Sequence, residues 1–209
     1  MATTATPRRT RSPKGEGERL RDEILDAADS ILKETGRADA VTMRAVAGRV
    51  GCTPGAIYLH FADRTELVTE VCRRLFDALD RDMERAAGDH DHPLAELAAL
   101  GHAYVRFGLR HPEGYRIIFM GDPSLVSAHA DVSEILSVGG FGRVVDAARR
   151  CMEAGCIASA DPFAVATRLW IVVHGATSAM ISKPWFPWGD VTAFVDRLLE
   201  TQLDGLRPR

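Results

Sequence analysis

Residues 50–61 read VGCTPGAIYLHF, and the first five of them close one helix and open another. Gly51 can take the left-handed conformation that ends a helix without a steric cost. Thr53 offers a hydroxyl to cap a helix start, and Pro54 falls at the first helical position, where its missing N–H leaves no bond unmade. Upstream, Thr42 caps a segment whose apolar face is Met43, Val46, Ala47 and Val50. The spacing predicts two helices of about two turns each, joined by a tight glycine turn. Neither is stable alone, because helices under ~12–15 residues are marginal in water. Longer neighbours must brace them, so the chain is confined to folds that pack a helix-turn-helix against other helices.

Those neighbours are visible in the pattern. Leu20, Ile24, Ala27, Ile31 and Thr35 recur at helical spacing, and Gly36 ends that run. Asp63, with Glu66 three residues on, has capping-box spacing for a helix that follows the pair. Ile57 and Phe61 lie four apart and face inward, while Thr53, Gly55 and Tyr58 face outward. Further helices are predicted from about Pro93 to His111, from Pro112 through Tyr115 to Met120, and through Val144 to near Gly155. Another runs from Asp161-Pro162 to about Ser182, and a last one carries Phe194, Val195, Leu198, Leu199 and Leu203. GDPS (121–124) and KPWFPWGD (183–190) read as a break and a rigid turn. No segment alternates strictly between apolar and polar residues, so no sheet is expected. The fold class is all-α with about nine helices. Residues 1–16, rich in Thr, Pro and charge, form a disordered basic arm. Residues 17–67 form a three-helix head, and 68–209 a helical C-terminal domain.

Charge is divided along the chain. Residues 1–62 hold 10 Lys and Arg against 8 Asp and Glu, and residues 63–209 hold 16 against 21. A slightly basic head on an acidic body is compatible with DNA binding, since only the contacting face must be positive. The four cysteines form no C-x-x-C pair and read as reduced thiols of a cytoplasmic protein. The first 16 residues lack the apolar run of a secretory signal, and the most apolar stretch, Leu169 to Ile181, is too short to span a bilayer. No membrane association is expected.

TMRAVAGRVG (42–51), followed by TPGAIYLHFADRTEL (53–67), resembles the N-terminal domain of TetR-family transcriptional regulators over roughly residues 19–70. The resemblance implies an all-helical homodimer that binds a pseudo-palindromic operator on double-stranded DNA. It usually represses until a small-molecule effector binds the C-terminal domain. It also assigns roles. Arg44, with Thr53, Pro54, Gly55 and Ala56, sits where the family reaches base edges or phosphates. Tyr58 and His60 sit where it contacts the DNA backbone, and Thr42 and Arg64 at flanking phosphate clamps. Many members carry Lys where this chain has Arg64, which keeps the charge. The short reading helix has few long polar side chains, so recognition would also draw on Arg44, the arm and DNA shape.

LWIVVHG (169–175) and HPEGYRIIF (111–119) resemble one C-terminal subgroup of that family, marked by Trp-x-x-x-His-Gly. Trp170 and His174 share a helix face, and Gly175 is read as a site of close helix approach. Phe107, Tyr115, Phe119 and Met180 complete an apolar effector pocket with Trp170 and His174.

Plainer readings stand beside these. Tyr58 is also a reasonable core tyrosine, and His60 simple filler. The arm is equally well a solvated tail, and Trp170 and His174 equally well core or part of a dimer seam. DHDH (89–92) places no third ligand by spacing, so no metal is expected. GGFG (139–142) follows no strand and is not a phosphate loop. Hydrolase, zincin and Walker signatures are missing, so no enzyme activity, catalytic residue or cofactor is expected. The alternative function is a helical small-molecule-binding or partner-binding module without DNA binding.

Overall fold

The computed structural model describes residues 16–88, 90–121 and 140–208. The first 15 residues of the arm, Asp89 of DHDH, residues 122–124 of GDPS and Gly139 of GGFG lie outside the described residues. Within them the chain forms nine α-helices, one 3-10 turn and no strand, as an all-α protein should. Packing divides them into two units, 16–75 with 116–121, and 76–115 with 140–208.

The first unit holds α1 (Glu16–Thr35), the 3-10 turn (Ala38–Ala40), α2 (Met43–Val50), α3 (Pro54–Tyr58) and the first half of α4 (Arg64–Ala87). α1 buries Ile24, Leu25, Ala28, Ile31 and Leu32, a wider stripe than the spacing suggested. Thr35 stays exposed at its end and donates its hydroxyl back to the Ile31 carbonyl at 2.7 Å. α2 opens on Thr42, whose Oγ1 accepts the Ala45 N–H at 3.1 Å, and closes at Gly51 with φ 76°. α3 is five residues, not two turns. Its end is set by the Ile57 carbonyl, which accepts the N–H groups of both His60 and Phe61, so the chain leaves the helix in time to bury Phe61 as well as Ile57. Burial of two such side chains is worth about 3–6 kcal/mol, far more than five residues of helix supply.

α4 starts where its capping-box spacing places it, with the return bond one residue earlier than in a capping box. Asp63 Oδ1 accepts the Glu66 N–H at 2.8 Å, and Glu66 reaches back to the Ala62 N–H at 2.5 Å. Ion pairs fasten α1 to its neighbours: Arg21 to Glu70 at 2.9 Å, Arg74 to Asp26 at 3.0 Å and to Asp22, and Arg49 to Glu34 by two hydrogen bonds.

The second unit holds the rest of α4, α5 (Pro93–Arg110), the start of α6 (Pro112–Met120), α7 (Gly140–Glu153), α8 (Pro162–Ser182) and α9 (Val191–Asp204). α5 packs on α7, α8 and α9, and α8 packs on α7 and α9. Gly108 makes the closest approach possible. A Cβ there would stand 2.3 Å from Thr177 Cγ2 on α8 and 3.0 Å from the Tyr115 ring. No helix of the same chain packs at Gly175: it is exposed, with no described residue within 4 Å of where a Cβ would stand. The reason is phase, because Val173 and Thr177 take the packed face of α8 and Gly175 falls opposite.

α8 is also longer than the apolar stretch that marked it. Its 21 residues are long and apolar enough to cross a membrane by length and composition. Its buried stripe of Val165, Ala166, Leu169, Val173, Thr177, Met180 and Ile181, packed on three helices, fits the core helix of this unit.

Candidate nucleic-acid interface and a buried aromatic cluster

The two capping threonines decide what the head presents. With Thr42 and Thr53 turned onto their own helix starts, α2 and α3 are fixed as short rods. Ile57 and Phe61, at 0% and 1% exposure, anchor α3 from behind. The opposite side is open: Thr42, Arg44, Thr53, Pro54 and Gly55 are exposed, Tyr58 is 54% exposed, and Ala56 and His60 are half-buried. The exposure of Tyr58 rules out the core-tyrosine reading. His60 lies near the start of α1, where a Cβ built on Gly17 would stand 3.9 Å from its Cε1. Arg44 makes no ion pair among the described residues, whereas Arg49 on the same helix is engaged by Glu34 and Ser30.

Arg64 has another occupation. It is half-buried and donates Nε–H to the Val41 carbonyl at 2.8 Å and Nη2–H to the Ala38 carbonyl. It therefore ties the start of α4 to the 3-10 turn that leads into Thr42. Leu59, 84% exposed beside Tyr58, went unnoticed in the sequence. Helical arithmetic had the signal: two residues on from the anchored Ile57 lies the opposite face. This surface offers hydroxyls, the exposed Arg44 guanidinium and two bulky apolar contacts, the chemistry of phosphate binding, guanine recognition and thymine-methyl contact.

The second unit contains a hydrogen-bonded aromatic cluster rather than a plain apolar pocket. Trp170 Nε1–H donates to Tyr104 Oη at 3.2 Å. Tyr104 and Tyr115 hydroxyls are 3.1 Å apart, and Tyr115 Oη lies 2.7 Å from His174 Nδ1. His174 Nε2 lies 3.4 Å from Ser178 Oγ. One proton arrangement satisfies every member: Trp170 to Tyr104, Tyr104 to Tyr115, Tyr115 to Nδ1, and Nε2–H to Ser178. It requires neutral His174, and burial does lower the pKa of that imidazole. Burial likewise raises the pKa of both tyrosines, which keeps their protons in place. The His174 ring stacks on Trp170 at 5.0 Å and on Tyr115 at 5.7 Å.

Of the expected pocket residues, Tyr115, Trp170 and His174 thus come together. Phe107 is buried with its ring 5.0 Å from that of His111, and Met180 is buried on α8. Phe119 is half-buried and counted with the first unit. Tyr104 was missed, although it lies three residues before Phe107 on the same face of α5.

Comparison with known proteins matches residues 24–71 to the family described as bacterial regulatory proteins, tetR family, and residues 97–206 to the tetracyclin repressor-like C-terminal domain. The chain is 30% identical over 130 residues to the HTH-type transcriptional activator FasR of Mycolicibacterium smegmatis, covering 58% of this chain and 59% of that protein. It is 33% identical over 85 residues to the HTH-type transcriptional repressor BepR of Brucella suis, covering 40% of each. The match thus spans less than two thirds of either relative. A Rhodococcus protein of unknown function has the same fold, with a TM-score of 0.75 and 26% identity over 90% of this chain and 96% of that one.

Proposed function

The chain belongs to the TetR family of DNA-binding transcriptional regulators, which are not enzymes, and from that premise we propose that it is a cytoplasmic, ligand-responsive repressor acting as a homodimer on a pseudo-palindromic operator. One observation carries the reading: α3 is anchored by Ile57 and Phe61 while Arg44, Thr53, Gly55, Tyr58 and Leu59 stand on the open side. Two such heads, set about 34–36 Å apart by a two-fold axis, read successive major grooves. Arg44 and the start of α3 meet base edges, and Thr42, Tyr58 and His60 meet the backbone. Arg64 contributes mainly by holding the entry to α2 in place.

The Trp170–His174–Tyr104–Tyr115 cluster is the reading's effector site. A ligand able to replace one of its internal hydrogen bonds gains both stacking and a polar anchor there. The clustering of Trp170 and His174 also supports placing the chain in the Trp-His-Gly subgroup. Two helices are shared between the units, α4 and α6, and α6 carries Tyr115 of the cluster. α4 is the covalent route between the head and the second unit, and α6 joins Tyr115 to residues 116–120, which pack with the first unit. By linkage, DNA must weaken effector binding by the factor through which effector weakens DNA binding. An activator and a repressor both stand among the relatives, and repression follows the family's commoner mode.

The test is selection of bound sequences from random duplex DNA, followed by titration of the selected site at several salt concentrations. A two-fold-symmetric site, bound at two protomers per duplex with a linear salt dependence, supports the reading. Absence of any shift at low salt, from protein that still binds small molecules, establishes the module without DNA binding instead.

A further inference from the structure

The C-terminal end of α7 brings two cysteines together. The Cys156 N–H donates to the Cys151 carbonyl at 2.8 Å, and the Gly155 N–H to the Met152 carbonyl at 3.0 Å, with Gly155 at φ 68°. That pair of bonds is a Schellman motif, and it assigns Cys151 and Cys156 to the two positions whose side chains commonly meet across such a helix end. Standard bond lengths on either side of the 2.8 Å hydrogen bond keep the two Cα atoms within about 6.7 Å. A disulfide spans ~4.4–6.8 Å between Cα atoms, and this separation lies within that reach.

The two thiols differ in a useful way. Cys151 is fully buried, and burial pushes its pKa up to about 11, with the neighbouring Cys156 adding to the rise. Cys156 is half-buried, with Sγ 3.7 Å from His92 Nε2 and 3.8 Å from the Ala154 carbonyl. His92 is not an idle neighbour. Its Nδ1 accepts the Leu94 N–H at 3.3 Å as the cap of α5, so in the neutral ring the proton sits on Nε2, facing the sulfur. That contact fixes the direction in which the Cys156 sulfur points.

We propose that Cys156 is a peroxide-reactive thiol, oriented by His92, and that Cys151 resolves its oxidised form into an intramolecular disulfide. The Cys156 thiolate attacks one oxygen of hydrogen peroxide. An S–O bond forms, the O–O bond breaks, and the departing hydroxide takes up a proton. The Cys151 sulfur then attacks the sulfenic sulfur. The S–S bond forms, the S–O bond breaks, and hydroxide leaves with the Cys151 proton as water. Two thiols are oxidised, one peroxide is reduced, and two waters are produced. Thiol reductants reverse the step. Nothing in this depends on DNA or effector binding.

The experiment treats the full chain with a small excess of hydrogen peroxide and maps its peptides under non-reducing conditions. The expected product is a 151–156 disulfide, two hydrogens lighter than the untreated chain and restored by dithiothreitol. In Cys151→Ser, dimedone should trap sulfenic acid on Cys156. His92→Asn keeps a helix-capping side chain but removes the imidazole N–H. It should slow that adduct several-fold, because the sulfur loses the contact that orients it. The proposal is overturned if Cys156 stays reduced while free cysteine in the same tube is oxidised. It is equally overturned if its partner is a cysteine other than Cys151, or if the His92→Asn rate equals that of the unsubstituted chain. The peptide map needs no variant, so a Cys151→Ser chain that fails to fold leaves the main test standing.

Discussion

Arg64 Nε–H donates to the Val41 carbonyl at 2.8 Å, and Nη2–H reaches the Ala38 carbonyl, so the first residue of α4 holds the chain that enters α2. Deleting that guanidinium removes the Val41 carbonyl's donor and leaves the Ala38 carbonyl with the Val41 N–H at 3.1 Å. Arg64→Ala is expected to lower stability by about 1–3 kcal/mol. Lys presents a single ammonium instead of a fork, so Arg64→Lys should recover only part of the loss. Thermal or urea unfolding gives the first readout and the salt dependence of operator binding the second. A variant with unchanged stability but a shallower salt slope would make Arg64 a phosphate clamp first and a brace second.

Tyr58 and Leu59 are the complementary case, exposed and without a structural task in the head. Tyr58→Phe and Leu59→Ala are expected to alter stability by no more than about 0.5 kcal/mol. Tyr58→Phe should weaken operator and random DNA alike, because a hydroxyl on a phosphate carries no sequence information. Leu59→Ala should instead reduce discrimination at one base step, by about 1 kcal/mol if a thymine methyl is its contact. Competition binding against single-base operator variants separates the two. Equal losses on all sequences for both substitutions would remove Leu59 from base recognition.

The helix boundaries were legible in the sequence because capping is local. Thr42, Thr53, Asp63 and Asp161 each satisfy an N–H two or three residues on, and a reader sees both partners at once. Arg64 was not legible in the same way, since its acceptors lie 23 and 26 residues back and only folding brings them near. The resemblance supplied the outward face of α3, but its length depended on where Phe61 had to go. Tyr104 escaped notice because its partners sit on other helices, and periodicity records a face without recording what it meets.

Gly108 and Gly175 make the same point as a measurable pair. Both are helical glycines, and each would gain helix propensity as alanine, roughly 0.5–1 kcal/mol. Gly175→Ala should realise that gain, because its added methyl meets nothing within 4 Å. In Gly108→Ala the methyl would stand 2.3 Å from Thr177 Cγ2, forcing α5 and α8 apart at an expected net cost of about 1–3 kcal/mol. Urea midpoints of the two variants should therefore move in opposite directions. Shifts of the same sign would mean the α5–α8 contact is looser than described.

Glu70 governs part of the acid limb of stability. Its hydrogen bond from Arg73, with further help from Arg21, holds its pKa at about 2 against an ordinary 4.5. The folded state therefore binds the proton more weakly than the unfolded chain. The stabilisation is fully present above pH 4.5 and is lost as pH falls towards 2. Arg73 is well exposed, so solvent screening reduces the effect to on the order of 1 kcal/mol. Glu70→Gln should lower the urea midpoint at pH 7 and narrow its fall between pH 5 and pH 3, by about that amount. An identical acid limb in both proteins would show that the pair contributes nothing measurable.

His174 contributes in a second and higher window. Burial depresses its pKa in the folded state, so the folded protein resists a proton that the unfolded chain accepts near pH 6.5. Stability contributed by neutral His174 is present above that value and falls as the solution is acidified below it. Protonation also places a hydrogen on Nδ1, where the Tyr115 hydroxyl at 2.7 Å now donates, and so the chain of bonds from Trp170 must reverse or break. Unfolding followed by Trp fluorescence at pH 7.5 and pH 5.5 should show a loss of stability that His174→Gln lacks. Tyr115→Phe removes the 2.7 Å bond to Nδ1 and keeps the longer Tyr104 contact at 3.2 Å, and it should cost about 1–2 kcal/mol at pH 7.5. If the Tyr115→Phe and His174→Gln losses add without coupling in the double variant, the two side chains are independent and the proton arrangement described for the cluster is wrong.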